Sequence, residues 1–279
     1  MFWPWQNSRK PTCELDASLL TNIGCCRDTN EDAGQIIRPA DSRVLAEKGM
    51  LMIVADGMGG CEGGEIASQL AIQIVGQSYY ANDSEASAAL VSAFTKANDA
   101  IHRLSLERPD LKGMGTTCTA LALRDDLAWV AYVGDTRLYL IRNGGIYRMV
   151  EDHSAVMELV KQGVVSLHDA RHHADRNVIL RALGTHEQIS VATWNAPLPV
   201  RIGDQFVLCS DGLYDLVEDE EIRDTACTRT PDVACSALIA MARERGGSDN
   251  ITVGVVHVSP LQTTRPQVVR ETRAVEVTR

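Results

Sequence analysis

The sequence predicts an α+β fold built on antiparallel sheet, and three observations carry that reading. Between residues 115 and 150 four short strand-like runs follow one another with only tight turns between them. Parallel strands need crossovers of a dozen or more residues, and that block has no room for them. Two long stretches ahead of it, 65–80 and 84–106, carry apolar residues at helical spacing. Earlier still, residues 50–55 form a short apolar run closed by turn residues, which reads as a buried strand.

In chain order, residues 14–24 alternate weakly and predict an opening strand. GCCRDTNED, 24–32, is a polar turn bearing Arg27, Asp28, Glu31 and Asp32, and 33–37 reads as a second strand. Residues 41–48 are a loop or short helix. The strand at 50–55 then delivers Asp56 into a glycine loop of Gly57, Gly59, Gly60, Gly63 and Gly64. The helix at 65–80 is set by Ile66, Leu70 and Ile74, joined by Ala67, Ala71 and Val75; the helix at 84–106 by Ala88, Val91, Phe94, Ala97 and Ile101. After a break at 108–112, strand 115–123 pairs with 127–133 across Arg124-Asp125-Asp126. Tight turns at 134–137 and 143–145 lead into strands 138–142 and 146–150, so the four are expected to form one meander. Asp152 and Ser154 read as caps of a helix over 152–163. Residues 164–181 are a mobile, partly helical polar insert with His168, His172, His173, Arg171, Arg176 and Arg181. Strands at 187–194 and 204–209, helices at 219–224 and 231–245, and a closing strand at 251–258 complete the chain.

Length and composition limit the options. The chain has 279 residues, 45% of them hydrophobic, enough for a substantial core. Lys and Arg number 27 against 37 Asp and Glu, a net charge of −10. That balance argues against a nucleic-acid partner, which would need clustered cations. The eight cysteines include no C-x-x-C pair, and they read as reduced, mostly buried thiols of a cytoplasmic protein. No run approaches the ~20 apolar residues of a membrane span. Residues 1–12, with Phe2, Trp3 and Trp5, read as a flexible N-terminal segment; 259–279, rich in Thr, Arg, Pro and Val, reads as a tail.

The chemistry lies in a repeated design. Asp56-Gly57, Asp211-Gly212 and Asp249-Asn250 each set an aspartate beside a strand end, Glu31-Asp32 adds two acids on a turn, and Asp135 follows Gly134. One such aspartate is usually a turn residue or a helix cap. Five or six at the edges of one sheet can converge, and unpaired they would raise one another's pKa. Divalent cations resolve that conflict. Oxygen ligands without histidine favour magnesium or manganese over zinc.

Several motifs in order then make the chain similar to a known family: GCCRDTNED (24–32), ADGMGGCEGG (55–64), GMGTT (113–117), VGDTRLYL (133–140), EDHS (151–154), RNVILRALG (176–184), LCSDGLYD (208–215) and SDNIT (248–252). It resembles the metal-dependent protein serine/threonine phosphatases of type 2C, and specifically their bacterial members. The resemblance spans about residues 14–258 and implies a catalytic domain over 13–258, with a flap at about 163–183. It implies a four-layer α-β-β-α sandwich, two central antiparallel sheets flanked by helix pairs. By resemblance Asp56 bridges two Mn²⁺ or Mg²⁺ ions, with the Gly57 carbonyl as a further ligand. Asp211 and Asp249 hold one ion and Glu31 the other. Asp32 accepts a hydrogen bond from a water on the metals, and Arg27 clamps the phosphate. Asp135, with Asp211, resembles the site of a third, weaker ion. Asn250 orients Asp249.

The implied activity is hydrolysis of phosphoserine and phosphothreonine on proteins by direct attack of water, opposing a Ser/Thr kinase, in a monomer. The chain departs from the eukaryotic pattern at Met58, where those members carry a histidine proposed as general acid; His153 is a second candidate for that proton. Other readings are a phosphoprotein-binding module on the same fold and a hydrolase of small phosphomonoesters. The histidines of the insert read as part of a solvated flap, where Arg171 and Arg176 would meet acidic phosphopeptides.

Overall fold

A computed structural model describes residues 13–59, 63–171 and 173–261. The N-terminal segment with its aromatic residues, Gly60, Cys61 and Glu62, His172, and the tail from 262 lie outside the described residues. The elements, in order, are β1 (Cys13–Asn22), β2 (Asp32–Ile37), α1 (Ser42–Lys48), β3 (Met50–Met58), α2 (Gly63–Tyr80), α3 (Ala86–Glu107), β4 (Gly115–Thr116), β5 (Cys118–Arg124), β6 (Leu127–Val133), β7 (Arg137–Arg142), β8 (Gly145–Arg148), α4 (Ala155–Lys161), α5 (Leu167–Ala170), β9 (Ala192–Thr193), β10 (Leu198–Pro199), β11 (Gln205–Cys209), α6 (Asp211–Tyr214), α7 (Asp219–Thr228), α8 (Pro231–Glu244) and β12 (Ile251–Pro260).

The strands form two antiparallel sheets. One has the order β1-β12-β11-β7-β8; the other runs β10-β6-β5-β3-β2, with β9 pairing β6 and β4 pairing β3. Side-chain alternation along each strand explains the layers. On β3, Leu51, Ile53 and Ala55 face α2 and α3, packing with Ala67, Ala71, Val75, Leu90, Phe94 and Ile101. Met50, Met52 and Val54 face the other way and meet Leu138, Leu140, Phe206, Leu208 and Val256 of the opposite sheet. The far face of that sheet, through Tyr139, Ile141, Val207 and Val253, carries α7 and α8 with Ile222, Ala234 and Leu238. The result is the expected α-β-β-α sandwich. Residues 50–55 are apolar without alternation because both faces of β3 are covered, and each fully buried Val, Leu or Ile contributes roughly 1.5–3 kcal/mol.

Several local expectations change. The four strands after residue 115 do not form one meander: β5 and β6 belong to one sheet, β7 and β8 to the other. The crossing is at Gly134, whose φ is +101° and whose missing Cβ would lie 2.5 Å from the Thr117 side chain. A residue with a side chain would be strained there, and the bend carries the chain from the top of β6 across to β11, which β7 pairs. The strand expected at 115–123 breaks at Thr117, whose N–H turns to the Asp56 carbonyl at 2.8 Å. Asp152 does not cap α4; it is buried and ion-paired to Arg137 and Arg148. The strand at 187–194 shrinks to Ala192–Thr193, and β12 runs two residues past 258, to Pro260.

Of the cysteines, Cys118, Cys209 and Cys235 are buried free thiols, but Cys25, Cys26 and Cys227 are exposed. Among its described residues the insert at 164–181 is helical only at Leu167–Ala170, and it is fastened to its surroundings. Arg171 donates to the carbonyls of Tyr214 and Val217 and pairs with Glu218 at 2.7 Å. That guanidinium is committed to the protein and is not the expected contact for a peptide. Arg176 pairs with Asp215 at 3.3 Å.

Candidate metal centre

The acids of the sequence motifs stand together at one end of the sandwich because the strands that carry them end or begin there. Asp32 opens β2 and sits directly opposite Asp56 in the β2–β3 register. Asp211 follows β11, Asp249 precedes β12, and Asp135 lies in the crossing from β6 to β7. Asp56 is not at a strand terminus: β3 continues to Met58, because Gly57 and Met58 pair with Thr116 and Gly115 of β4. That pairing clamps the aspartate. The Asp56 N–H donates to Thr117 Oγ1 at 3.1 Å, and Thr116 Oγ1 donates to the Asp56 carbonyl at 2.8 Å.

Glu31 is placed by backbone contacts. The Gly57 N–H donates to the Glu31 carbonyl at 3.1 Å, and the Glu31 N–H donates to Asn250 Oδ1 at 2.8 Å. Its carboxyl group lies over Gly64 in the first turn of α2, where a Cβ would stand 2.6 Å from Glu31 Cδ. Gly57 is equally confined, its missing Cβ 2.2 Å from the Gly64 carbonyl oxygen. The glycine loop is therefore a close approach of backbone to the acids. Asn250 meets Asp249 through its backbone, the N–H donating to Asp249 Oδ1 at 2.8 Å, and its side chain is engaged elsewhere. Its amide donates to the carbonyls of Ile23 and Thr29, both at 3.0 Å, and so ties down the whole 23–31 turn.

Electrostatics identify the acids as one group. Burial, then the neighbouring Asp32, Asp211, Asp135 and Asp249, pushes the Asp56 carboxyl well above its ordinary pKa. Asp211 is raised by burial and then by Asp135, Asp249, Asp215 and Asp32. Burial also raises Asp135, with Asp152 adding to it and Arg137 opposing. Asp32 is raised by burial, against hydrogen bonds from Ser210 and Thr252. Glu31 is raised by burial, against the attraction of Arg27.

Among the described residues, no three acidic, histidine or cysteine groups already stand as a closed ligand set. The carboxylates repel one another, and Asp249 is turned onto Arg27 at 2.8 Å. The donors nevertheless suit a hard cation. They are oxygen throughout, and Asp211 Oδ1 is buried without a hydrogen-bond partner, a costly arrangement that a cation relieves. Arg27 stands at the rim with half its side chain exposed.

His153 is a structural latch. Its Nδ1 accepts the Gly134 N–H at 3.0 Å, its ring stacks on Tyr132 with centroids 5.3 Å apart, and its carbonyl accepts the Leu180 N–H. Burial and then Arg181 hold its pKa down at about 4, so it stays neutral across the physiological range. Sequence reasoning missed Ser210, Thr116, Thr117 and Thr252. Their only signal was membership of the motifs at 113–117, 208–215 and 248–252, and hydroxyl residues are common in turns.

Comparison with known proteins agrees with this geometry. Residues 28–244 match the family model described as protein phosphatase 2C. The serine/threonine phosphatase stp of Listeria monocytogenes serotype 4b is 34% identical over 248 residues, 87% of this chain and 95% of that one. The crystal structure of the Mycobacterium tuberculosis serine/threonine phosphatase PstP/Ppp superposes with a TM-score of 0.78 at 33% identity, covering 88% of this chain and 99% of the other. A structure of the PstP catalytic domain in complex with two manganese ions gives a TM-score of 0.76 at 32% identity, covering 89% of this chain and all of that one. With the four-layer fold, the ordered motifs and the converging acids in place, the chain belongs to the protein phosphatase 2C family.

Proposed function

We propose that the protein removes phosphate from phosphoserine and phosphothreonine on proteins, with two divalent cations, Mn²⁺ or Mg²⁺, held by Asp56, the Gly57 carbonyl, Glu31, Asp211 and Asp249. The observation that supports this most is the convergence of mutually repelling carboxylates around the unpartnered Asp211 Oδ1. When bound, such a cation pair would lower the pKa of water towards neutrality and neutralise phosphoryl charge. The chain's own groups do the rest. Arg27 presents a planar fork at the rim, suited to two phosphoryl oxygens. Asp32, buried beside Asp56, accepts the hydrogen bond that orients the attacking water. Asp135, whose charge raises the Asp211 carboxyl, would share a third, weaker ion with it. The Ser or Thr leaving group needs a proton; Met58 has none to give, and His153 is neutral and committed to the Gly134 N–H, so solvent in the site supplies it.

On this reading residues 13–258 are the catalytic domain of a monomeric cytoplasmic enzyme opposing a Ser/Thr kinase. Support for parts of that picture comes from the relatives' names and from the net charge of −10, which disfavours nucleic acid. Among the described residues no helix is long and apolar enough to cross a membrane.

The test is phosphate release from a phosphothreonine peptide against added Mn²⁺ or Mg²⁺, with Asp211→Ala alongside. Metal-dependent turnover that vanishes in the variant is expected. A folded protein that binds the peptide without turnover under either metal would indicate a phosphoprotein-binding module. Turnover of small phosphomonoesters alone would move the substrate class.

A further inference from the structure

Asp32 opens a strand of one sheet and Ser210 follows directly after a strand of the other, yet their side chains touch. Ser210 Oγ donates to Asp32 Oδ2 at 2.7 Å and accepts the Thr252 N–H at 3.0 Å. A serine hydroxyl has one proton, and with the Thr252 N–H on a lone pair that proton is directed at the carboxylate. The Ser210 N–H donates to the Thr252 carbonyl at 3.1 Å, and the residue is fully buried, so its hydroxyl cannot swing away without losing a bond.

The contact belongs to a closed ring. Thr252 Oγ1 is 2.8 Å from Thr21 Oγ1, Thr21 Oγ1 accepts from Asn30 Nδ2 at 2.9 Å, and Asn30 Oδ1 accepts the Asp32 N–H at 3.2 Å. Asp32 is thus held at its backbone through Asn30 and at its carboxylate by two hydroxyls, that of Ser210, at 2.7 Å, and that of Thr252. Because Ser210 is bonded in sequence to Asp211, the same hydroxyl sets Asp32 relative to that acid.

We propose that Ser210 is a positioning residue for Asp32, directing its Oδ2 and so fixing the carboxylate that orients the attacking water. This rests on the proposed role of Asp32. Losing one hydrogen bond to a charged group at a reacting site predicts a fall in kcat of about 10-fold or more for Ser210→Ala. The KM for a phosphothreonine peptide and the calorimetric Kd for Mn²⁺ should stay within roughly 3-fold, because Ser210 touches neither phosphate nor cation. Thr21→Val is the control. It opens the ring at the backbone branch while leaving the Ser210–Asp32 bond, and its kcat should stay within roughly 3-fold of wild type. If Ser210→Ala does not fold, Ser210→Cys, a weaker donor of similar size, takes its place with the same expectation.

The proposal is overturned by a Ser210→Ala kcat within 2-fold of wild type, by a loss matched in Mn²⁺ affinity, or by Thr21→Val losing as much. An inactive wild type that still binds Mn²⁺ would sink the phosphatase reading and this role with it; an active wild type with an unaffected variant sinks only the role of Ser210.

Discussion

Replacing Gly64 with alanine should separate stability from function. Gly64 lies in the first turn of α2, outside the left-handed region that would demand glycine. Alanine is the better helix former by at most about 1 kcal/mol, and by less in a first turn. The added Cβ would meet Glu31 at 2.6 Å from Cδ and at 2.8 and 3.0 Å from the two carboxyl oxygens. These atoms are the end of a flexible side chain, so they yield before the helix does. Restoring ordinary contact moves the Glu31 carboxyl by about 1 Å. A displacement of that size at a positioned group costs on the order of 10²-fold at most. The assay is the Mn²⁺ requirement and kcat on a phosphothreonine peptide, with a thermal melt in EDTA. The melting temperature should stay within a few degrees of wild type or rise, while the Mn²⁺ requirement increases about 10-fold or more. An unchanged requirement at an unchanged melting temperature would remove Glu31 from the metal centre. A collapse of the melting temperature would refute the claim that Glu31 gives way.

Three more outcomes follow from the same geometry. Asp211→Asn removes a buried carboxylate whose pKa is raised above its unfolded value, so the stability it costs the metal-free protein grows as pH rises above about 4. At pH 7.5 in EDTA the variant should melt several degrees higher than wild type, and added Mn²⁺ should stabilise wild type but not the variant. For His153 the sign is opposite in pH. Its folded pKa of about 4 lies below the unfolded value of ~6.5, so its contribution is intact above ~6.5 and is lost as pH falls towards 4. Urea titrations at pH 7.5 and 5 should show wild type losing at most about 2 kcal/mol relative to His153→Gln, less whatever solvent screening removes; equal losses would refute the latch. Arg137 donates to both Asp152 oxygens at 2.7–3.2 Å and stacks 3.5 Å over the Tyr214 ring. Arg137→Met should cost about 3 kcal/mol in urea unfolding, because Asp152 stays buried with Arg148 as its remaining ion-pair partner.

The sequence by itself determined most of the element list and the chemistry of the site. Helices α2 and α3 were legible because one face of each is buried against a sheet, which imposes a 3.6-residue repeat. The acids at 31, 32, 135, 211 and 249 were legible because each sits beside a turn that ends or begins a strand, and Asp56 because its apolar run gives way to glycines, although β3 continues past it to Met58. Only the tertiary structure decided which strands share a sheet. Nothing local distinguishes a tight turn that continues a meander from one that crosses between sheets, and at Gly134 the choice is made by the room left beside Thr117. The same holds for Asp152, a good cap in the sequence that becomes an ion-pair acceptor because Arg137 and Arg148 reach it. Ser210 belongs to this class as well. A hydroxyl in a turn carries no signal of its partner, and its contact with Asp32, 178 residues away, exists only because the start of β2 and the end of β11 lie side by side in opposite sheets.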